Sequence, residues 1–196
     1  SLRCIERGCF HADQNWKVYS TDGLRAQEFS VLPLLQGKKE KEGPLGAFFD
    51  VSHTDNTLGD VSWEKAESQL QTEAVETALK KAALEGKDVD YILAGDLLNQ
   101  CISSTFGLRS LGIPFLGQYG ACSTMAQTLG LASLFVETGI ARRAVAVTSS
   151  HFCSAERQFR FPLEYGGQRT PTAQWTATAA GSVVVGAHGR GEVKVN

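Results

Sequence analysis

No apolar run in these 196 residues approaches the ~20 residues of a membrane-spanning helix; the longest mostly apolar stretch, Gly130 to Val136, is far shorter. The first residues also lack the basic-then-apolar pattern of a secretory signal, so any membrane role is expected to be peripheral. Neither sign of charge dominates. Lys and Arg total 19 against 21 Asp and Glu, and the net charge of −2 offers no basic face to a nucleic acid. No internal repeat and no low-complexity tract is present, and 42% hydrophobic with 20% charged residues excludes a collagen, a coiled coil or a disordered tail. Cysteine is sparse and unpaired in pattern. Cys4, Cys9, Cys101, Cys122 and Cys153 are an odd number at irregular spacing, which points to reduced thiols in a reducing compartment. Cys4 and Cys9 with His11 lack a second cysteine pair and a fourth ligand, so no metal site is expected there.

From about Asp88 onward, short β-rich runs alternate with helical patterns, the signature of an α/β fold with a mixed, mostly parallel sheet. Residues 1–36 do not share this period. Within them Phe29 to Leu35 is a candidate strand that Pro33 would push to a sheet edge. Lys38 to Glu42 alternates charges into the turn Gly43-Pro44-Leu45-Gly46. A first helix is expected from Ser62, whose hydroxyl can cap free N–H groups, to about Gly86. Trp63, Ala66, Leu70, Ala74, Ala78 and Ala82 form its apolar stripe, with Glu67, Gln71, Lys80 and Lys81 elsewhere on the wheel. Strands follow at Tyr91 to Ala94, Ile113 to Leu116, Ala144 to Val147 and Ser182 to Ala187, and a short helix at Ser103 to Leu111 stops at Gly112. The helix expected from Thr124 to Thr138 is apolar on nearly every side and reads as buried all round. Between Ser149 and Gly181 lies a polar, aromatic excursion of roughly thirty residues, a length that in a compact domain is functional or disordered.

Cys122 is the sharpest candidate for chemistry. It stands between a strand and the buried helix among Gly120, Ala121 and Ser123, small residues that permit a tight turn. Helix N–H groups there would favour a nucleophilic thiolate or, equally, a bound carboxylate, whereas a structural cysteine would simply be a small buried hydrophobe. His151 follows a strand end and would face the same sheet edge as a base or donor, or else bond its own backbone. Asp96, Asn99 and Gln100 lie just past a parallel strand, where open α/β sheets bind ligands, though each can instead cap a turn. Ala155 to Pro162 sets Arg157 and Arg160 among aromatics, suited to an anionic ligand or to a Glu156–Arg160 helical pair. His53 and His188 look solvated.

Four separated motifs carry a resemblance: Lys39 to Gly46, Ala94 to Gln100, Gly120 to Thr124, and Ser149-Ser150-His151 through Ala155 to Arg160 and on to Glu164-Tyr165-Gly166-Gly167-Gln168. Over about residues 37–196 the chain resembles the stage V sporulation protein AD family of endospore-forming bacteria, within the thiolase-like superfamily. The resemblance implies an N-terminal βαβαβαββ half with a buried central helix, residues 1–36 forming a divergent segment. It also implies a non-catalytic role in uptake of dipicolinic acid (pyridine-2,6-dicarboxylic acid), with or without calcium, on the cytoplasmic side of the forespore or spore inner membrane. The cleft would be lined by Asp96, Asn99, Gln100, Cys122, Ser123, His151 and Arg157. Partners would be other stage V sporulation membrane proteins and a second copy in a homodimer, with no nucleic acid and no cofactor. The alternative is an acyltransferase or 3-ketoacyl-synthase-like condensing enzyme with Cys122 as nucleophile, whose histidine or asparagine partners the superfamily draws from a C-terminal half.

Overall fold

A computed structural model describes residues 34–36, 49–53, 55, 57–159 and 176–186. Six strands form one sheet: β1 (Leu34–Gln36), β2 (Val51–His53), β3 (Tyr91–Gly95), β4 (Phe115–Gly117), β5 (Arg143–Ser150) and β6 (Ala179–Gly186), in the order β2-β1-β6-β5-β3-β4. The pairs β1/β2, β3/β4 and β3/β5 are parallel, while β6 runs antiparallel to both of its neighbours, giving the expected mixed, mostly parallel sheet. Among the described residues four α-helices accompany it: α1 (Trp63–Lys81), α2 (Ile102–Leu108), α3 (Thr124–Glu137) and α4 (Phe152–Phe159).

Helices cover both faces of the sheet, which is why β3, β5 and β6 are apolar at consecutive positions rather than alternate ones. Ile92, Ala94, Val145, Val147 and Val184 face α1 and α2 through Val75, Ala78, Leu79 and Leu108. Leu93, Ala144, Ala146, Val183 and Val185 face α3 through Ala132 and Val136. α1 starts where the sequence places it: the Ser62 hydroxyl accepts from Lys65 N at 3.3 Å, and Glu64 in the first turn suits the helix dipole. It ends at Lys81, short of Gly86, which opens a separate single turn. Gly112, at φ 66°, stops the turn after α2, a left-handed conformation that glycine adopts without a Cβ penalty.

Three expectations change. β1, as described from Leu34 to Gln36, pairs with β2 on one side and β6 on the other, so it lies inside the sheet rather than at its edge. His53 is not a solvated loop residue: it ends β2, and its Nε2 lies 2.8 Å from Glu73 Oε2 on α1. α3 is buried along Thr124, Thr128, Ala132, Ser133 and Val136, but Leu134 on another side is half exposed, because one sheet face covers only one side of a helix. Glu67 and Gln71 are fully buried, because α1 is wedged between the sheet and α2 and so has two covered sides. Cys4, Cys9, His11, Arg160 and His188 lie outside the described residues. No helix among the described residues is long and apolar enough to cross a membrane.

Candidate functional site

Because β3, β4 and β5 are parallel, Gly95, Gly117 and Ser150 end at one edge of the sheet, and the three segments that follow them meet there. The segment after β4 is the cysteine elbow. Gln118 N donates to Ala94 O at 2.7 Å, holding the chain beside β3. Gly120 then leads into a single turn of 3-10 helix, Ala121–Ser123, with Ala121 at φ 49°. That is a left-handed conformation rare for alanine, and it marks local strain at the bend.

The elbow is tied to itself. Ser123 Oγ donates to Gly120 O at 2.7 Å, and Thr124 Oγ1 donates to Ala121 O at 2.9 Å while accepting from Gly120 N at 3.2 Å. Gln127 Nε2 donates to Gln118 Oε1 at 2.9 Å. Ser123 is spent in this way and does not cap α3 with its side chain. Two glycines permit the packing. A Cβ on Gly120 would lie 2.6 Å from Ser123 Oγ, and one on Gly95 would lie 2.0 Å from Gln118 O. Cys122 is exposed on this bend, as a nucleophile or an anion-binding turn requires and a buried structural cysteine would not be.

After β3, Asp96 is almost fully buried. Its Oδ1 accepts from Leu98 N at 2.9 Å, and its Oδ2 accepts from Ser104 N at 2.8 Å and Ser104 Oγ at 2.6 Å. Both oxygens are thus engaged in folding the β3–α2 loop; the residue orients that loop rather than offering an acceptor to the crevice. Burial raises its pKa, against the three donors. Asn99 is exposed, and its N–H donates to Gln158 Oε1 of α4 at 3.1 Å, so α4 meets the loop at this edge. The backbone of Gln100 lies in the same turn, Asn99–Cys101, and that of Arg157 lies in α4. Cys101, at φ 53°, gives its Sγ–H to Gln118 O at 3.2 Å, joining loop and elbow. Burial and then the charge of Asp96 push its thiol up.

After β5, His151 is fully buried, and its Nδ1 accepts from Cys153 N at 3.2 Å. That bond leaves the proton of a neutral ring on Nε2. The ring is a local orienting group at the start of α4 and is not on the surface that carries Cys122.

Sequence reasoning missed a polar cluster beneath this edge. Glu67 of α1 receives Ser149 Oγ at 2.9 Å on Oε1 and lies 3.0 Å from Ser154 Oγ on Oε2. Gln71 Nε2 lies 3.0 Å from Gly95 O, 3.1 Å from Ser104 Oγ and 3.1 Å from Ser149 Oγ. Burial first, then the nearby Asp96, pushes Glu67 up to about 7. The available signal was a polar pair at i, i+4 flanking the apolar stripe of a helix.

A family model described as stage V sporulation protein AD matches residues 26–196, so the match takes in part of the stretch 1–36 that the sequence pattern set apart. The stage V sporulation protein AD of Bacillus subtilis (strain 168) is 51% identical over 149 residues, covering 76% of this chain and 44% of that protein. The chain therefore spans less than half the length of the curated relative it matches. Among solved structures, 3-oxoacyl-[acyl-carrier-protein] synthase III of Aquifex aeolicus VF5 superposes with a TM-score of 0.58 at 17% identity, over 85% of this chain and 54% of that one. The H285N variant of Xanthomonas campestris OleA does so with a TM-score of 0.56 at 14% identity, over 84% and 56%. At such identities the likeness is one of fold, and the fold is thiolase-like.

Proposed function

The chain belongs to the stage V sporulation protein AD family, and from that membership we propose that its crevice at the carboxyl edge of β3, β4 and β5 binds dipicolinate without turning it over, as part of the spore's dipicolinic acid uptake system. The observation that carries the reading is the exposed Cys122 bend at the start of a helix without a side-chain cap, on the edge where α4 meets the Asn99 turn. Dipicolinate presents two carboxylates flanking a ring nitrogen. One carboxylate suits the amides around Cys122 and Ser123, and the other suits the Asn99 and Gln100 amides with the Arg157 guanidinium, which forks onto carboxylates. Calcium bound with the ligand would offset part of its charge. Asp96 and His151 support the loop and the start of α4. The protein acts peripherally, on the cytoplasmic side of the forespore or spore inner membrane, with other stage V sporulation membrane proteins and as a homodimer.

Calorimetric titration of the chain with dipicolinate, with and without calcium, tests the reading. Saturable heat that weakens at least tenfold in Arg157→Ala, roughly the 1.4 kcal/mol of one charge-assisted contact, is expected. No saturable heat, or heat and affinity unchanged in Arg157→Ala, would overturn it. The exposed thiol on a fold shared with a 3-oxoacyl synthase favours one rival, in which the Cys122 thiolate attacks an acyl thioester and releases the carrier thiol. Mass spectrometry after incubation with acyl-CoA separates the two, because a stable acyl adduct on Cys122 belongs to the rival alone.

A further inference from the structure

The polar cluster between α1, α2, β5 and α4 is short of protons. Ser154 Oγ has one hydrogen and two acceptors in reach, Glu67 Oε2 at 3.0 Å and, just before its helix, His151 O at 3.1 Å. Gln71 Nε2 has two hydrogens and three acceptors in reach. Gln71 Oε1, also buried, has no partner among the described residues. Ser149 and Ser104 do not relieve the shortage, because their hydroxyl protons go to Glu67 Oε1 and Asp96 Oδ2. A proton held on Glu67 Oε2 satisfies Ser154: the acid donates to Ser154 Oγ, whose own hydrogen then goes to the His151 carbonyl.

Of the two buried carboxyls, Glu67 is the one suited to stay neutral. Asp96 accepts three hydrogen bonds, two of them from backbone N–H groups, an arrangement that fits an ionised carboxylate. The groups facing Glu67 are the Ser103 hydroxyl from α2, Ser149 from β5, Ser154 from α4 and the charge of Asp96 from the β3–α2 loop, with the Cys101 thiol beside Asp96. No Lys or Arg among the described residues contributes to it, and Ser154 links it to the His151 carbonyl. Burial and the charge of Asp96 lift Glu67 to about 7 against the hydroxyls of Ser149, Ser154 and Ser103, which favour its ionised form.

We propose that Glu67 keeps its proton while α4 is seated on α1, and that ionisation of Glu67 releases α4, so that closure of the helix over the strand edge depends on pH. An ionised Glu67 would leave a buried charge facing Asp96 with no cation among the described residues and would compete with the His151 carbonyl for the Ser154 hydrogen, and lifting α4 lets water reach the carboxylate. Among the described residues α4 is also tied by Phe152 N to Thr178 Oγ1 at 2.9 Å, by Cys153 N to His151 Nδ1 at 3.2 Å and by Gln158 Oε1 to Asn99 N at 3.1 Å, while Ser154 carries its link to Glu67. The device would gate access to the edge whatever ligand binds there, and it rests on none of the ligand assignments above.

Amide hydrogen exchange of residues 152–159, corrected for intrinsic rates, tests this between pH 5.5 and 8.5. Where opening α4 returns Glu67 by one pKa unit toward its ordinary value, α4 protection falls about tenfold over that range, while α3 protection holds. In Glu67→Gln, the uncharged isostere, α4 protection is expected to be flat with pH. A wild-type profile without the fall, or a parallel fall in Glu67→Gln, overturns the proposal. Should Glu67→Gln not fold, Ser154→Ala decides. It keeps the acid but removes the link, so α4 should be poorly protected already at pH 5.5 and should respond little to pH; a retained tenfold fall overturns the proposal.

Discussion

Gly95→Ala perturbs the elbow at one atom. The added Cβ would lie 2.0 Å from Gln118 O, 2.6 Å from Thr124 Cγ2 and 3.1 Å from the Gln118 carbonyl carbon. A carbon and an oxygen rest at about 3.3 Å or more, so the Gln118 carbonyl must retreat by roughly 1 Å. It has little freedom to do so, because Gln118 N is bonded to Ala94 O, its carbonyl accepts from Cys101, and its side chain is held by Gln127. Overpacking of this kind costs about 1–3 kcal/mol, and losing the Gln118–Ala94 hydrogen bond adds about 1 kcal/mol. A destabilisation of about 3 kcal/mol is therefore expected, although alanine is otherwise the better strand residue by about 0.5–1 kcal/mol. Urea unfolding at fixed pH measures the loss, and the alkylation rate of Cys122 in the folded protein reports displacement of the bend. A variant within 1 kcal/mol of wild type, with unchanged Cys122 reactivity, would refute the claim that this glycine is what allows the strand end and the bend to touch.

Two further outcomes are expected. Glu67 stands at about 7 in the folded chain against an ordinary 4.5, so the folded state holds the proton more tightly; its stabilising share is complete below pH 4.5 and is lost as pH rises through about 7. At about 1.4 kcal/mol per pKa unit, Glu67→Gln should exceed wild type in stability by up to about 3 kcal/mol above pH 8 and match it near pH 4.5, as denaturant melts at both pH values would measure. A limiting amount of iodoacetamide should label exposed Cys122 well before buried Cys101, whose thiol is pushed up, and equal labelling of the two by peptide mass mapping would contradict this placement.

Much of the fold can be read from local pattern. The apolar runs of β3, β5 and β6, the Ser62 cap, the Gly112 stop and the small residues around Cys122 each act within a few neighbours, so the chain announces them before it folds. The mixed sheet and the cysteine bend followed from those signals, and the motif order pointed to the family. Other features were invisible for the opposite reason. Pro33 made an edge strand the natural inference, but Leu34–Gln36 pairs with β2 on one side and β6 on the other, partners that lie far along the chain. His53 looked solvated because its partner, Glu73, lies twenty residues away.

The site divides in the same way. Sequence was enough to select Asp96, Asn99, Cys122, Ser123 and His151 as residues following the ends of parallel strands, because strand ends and turns are local facts. Whether each then faces solvent or bonds its own loop depends on what is packed above it. Asp96 is consumed by Leu98 and Ser104, His151 is enclosed, and Cys122 is left open. Glu67 and Gln71 show the same dependence most sharply. Their spacing on α1 is written in the chain, but the serines that surround them come from α2, β5 and α4. Burial and proton affinity arise from that convergence, because desolvation is a property of everything around a group and of no single segment.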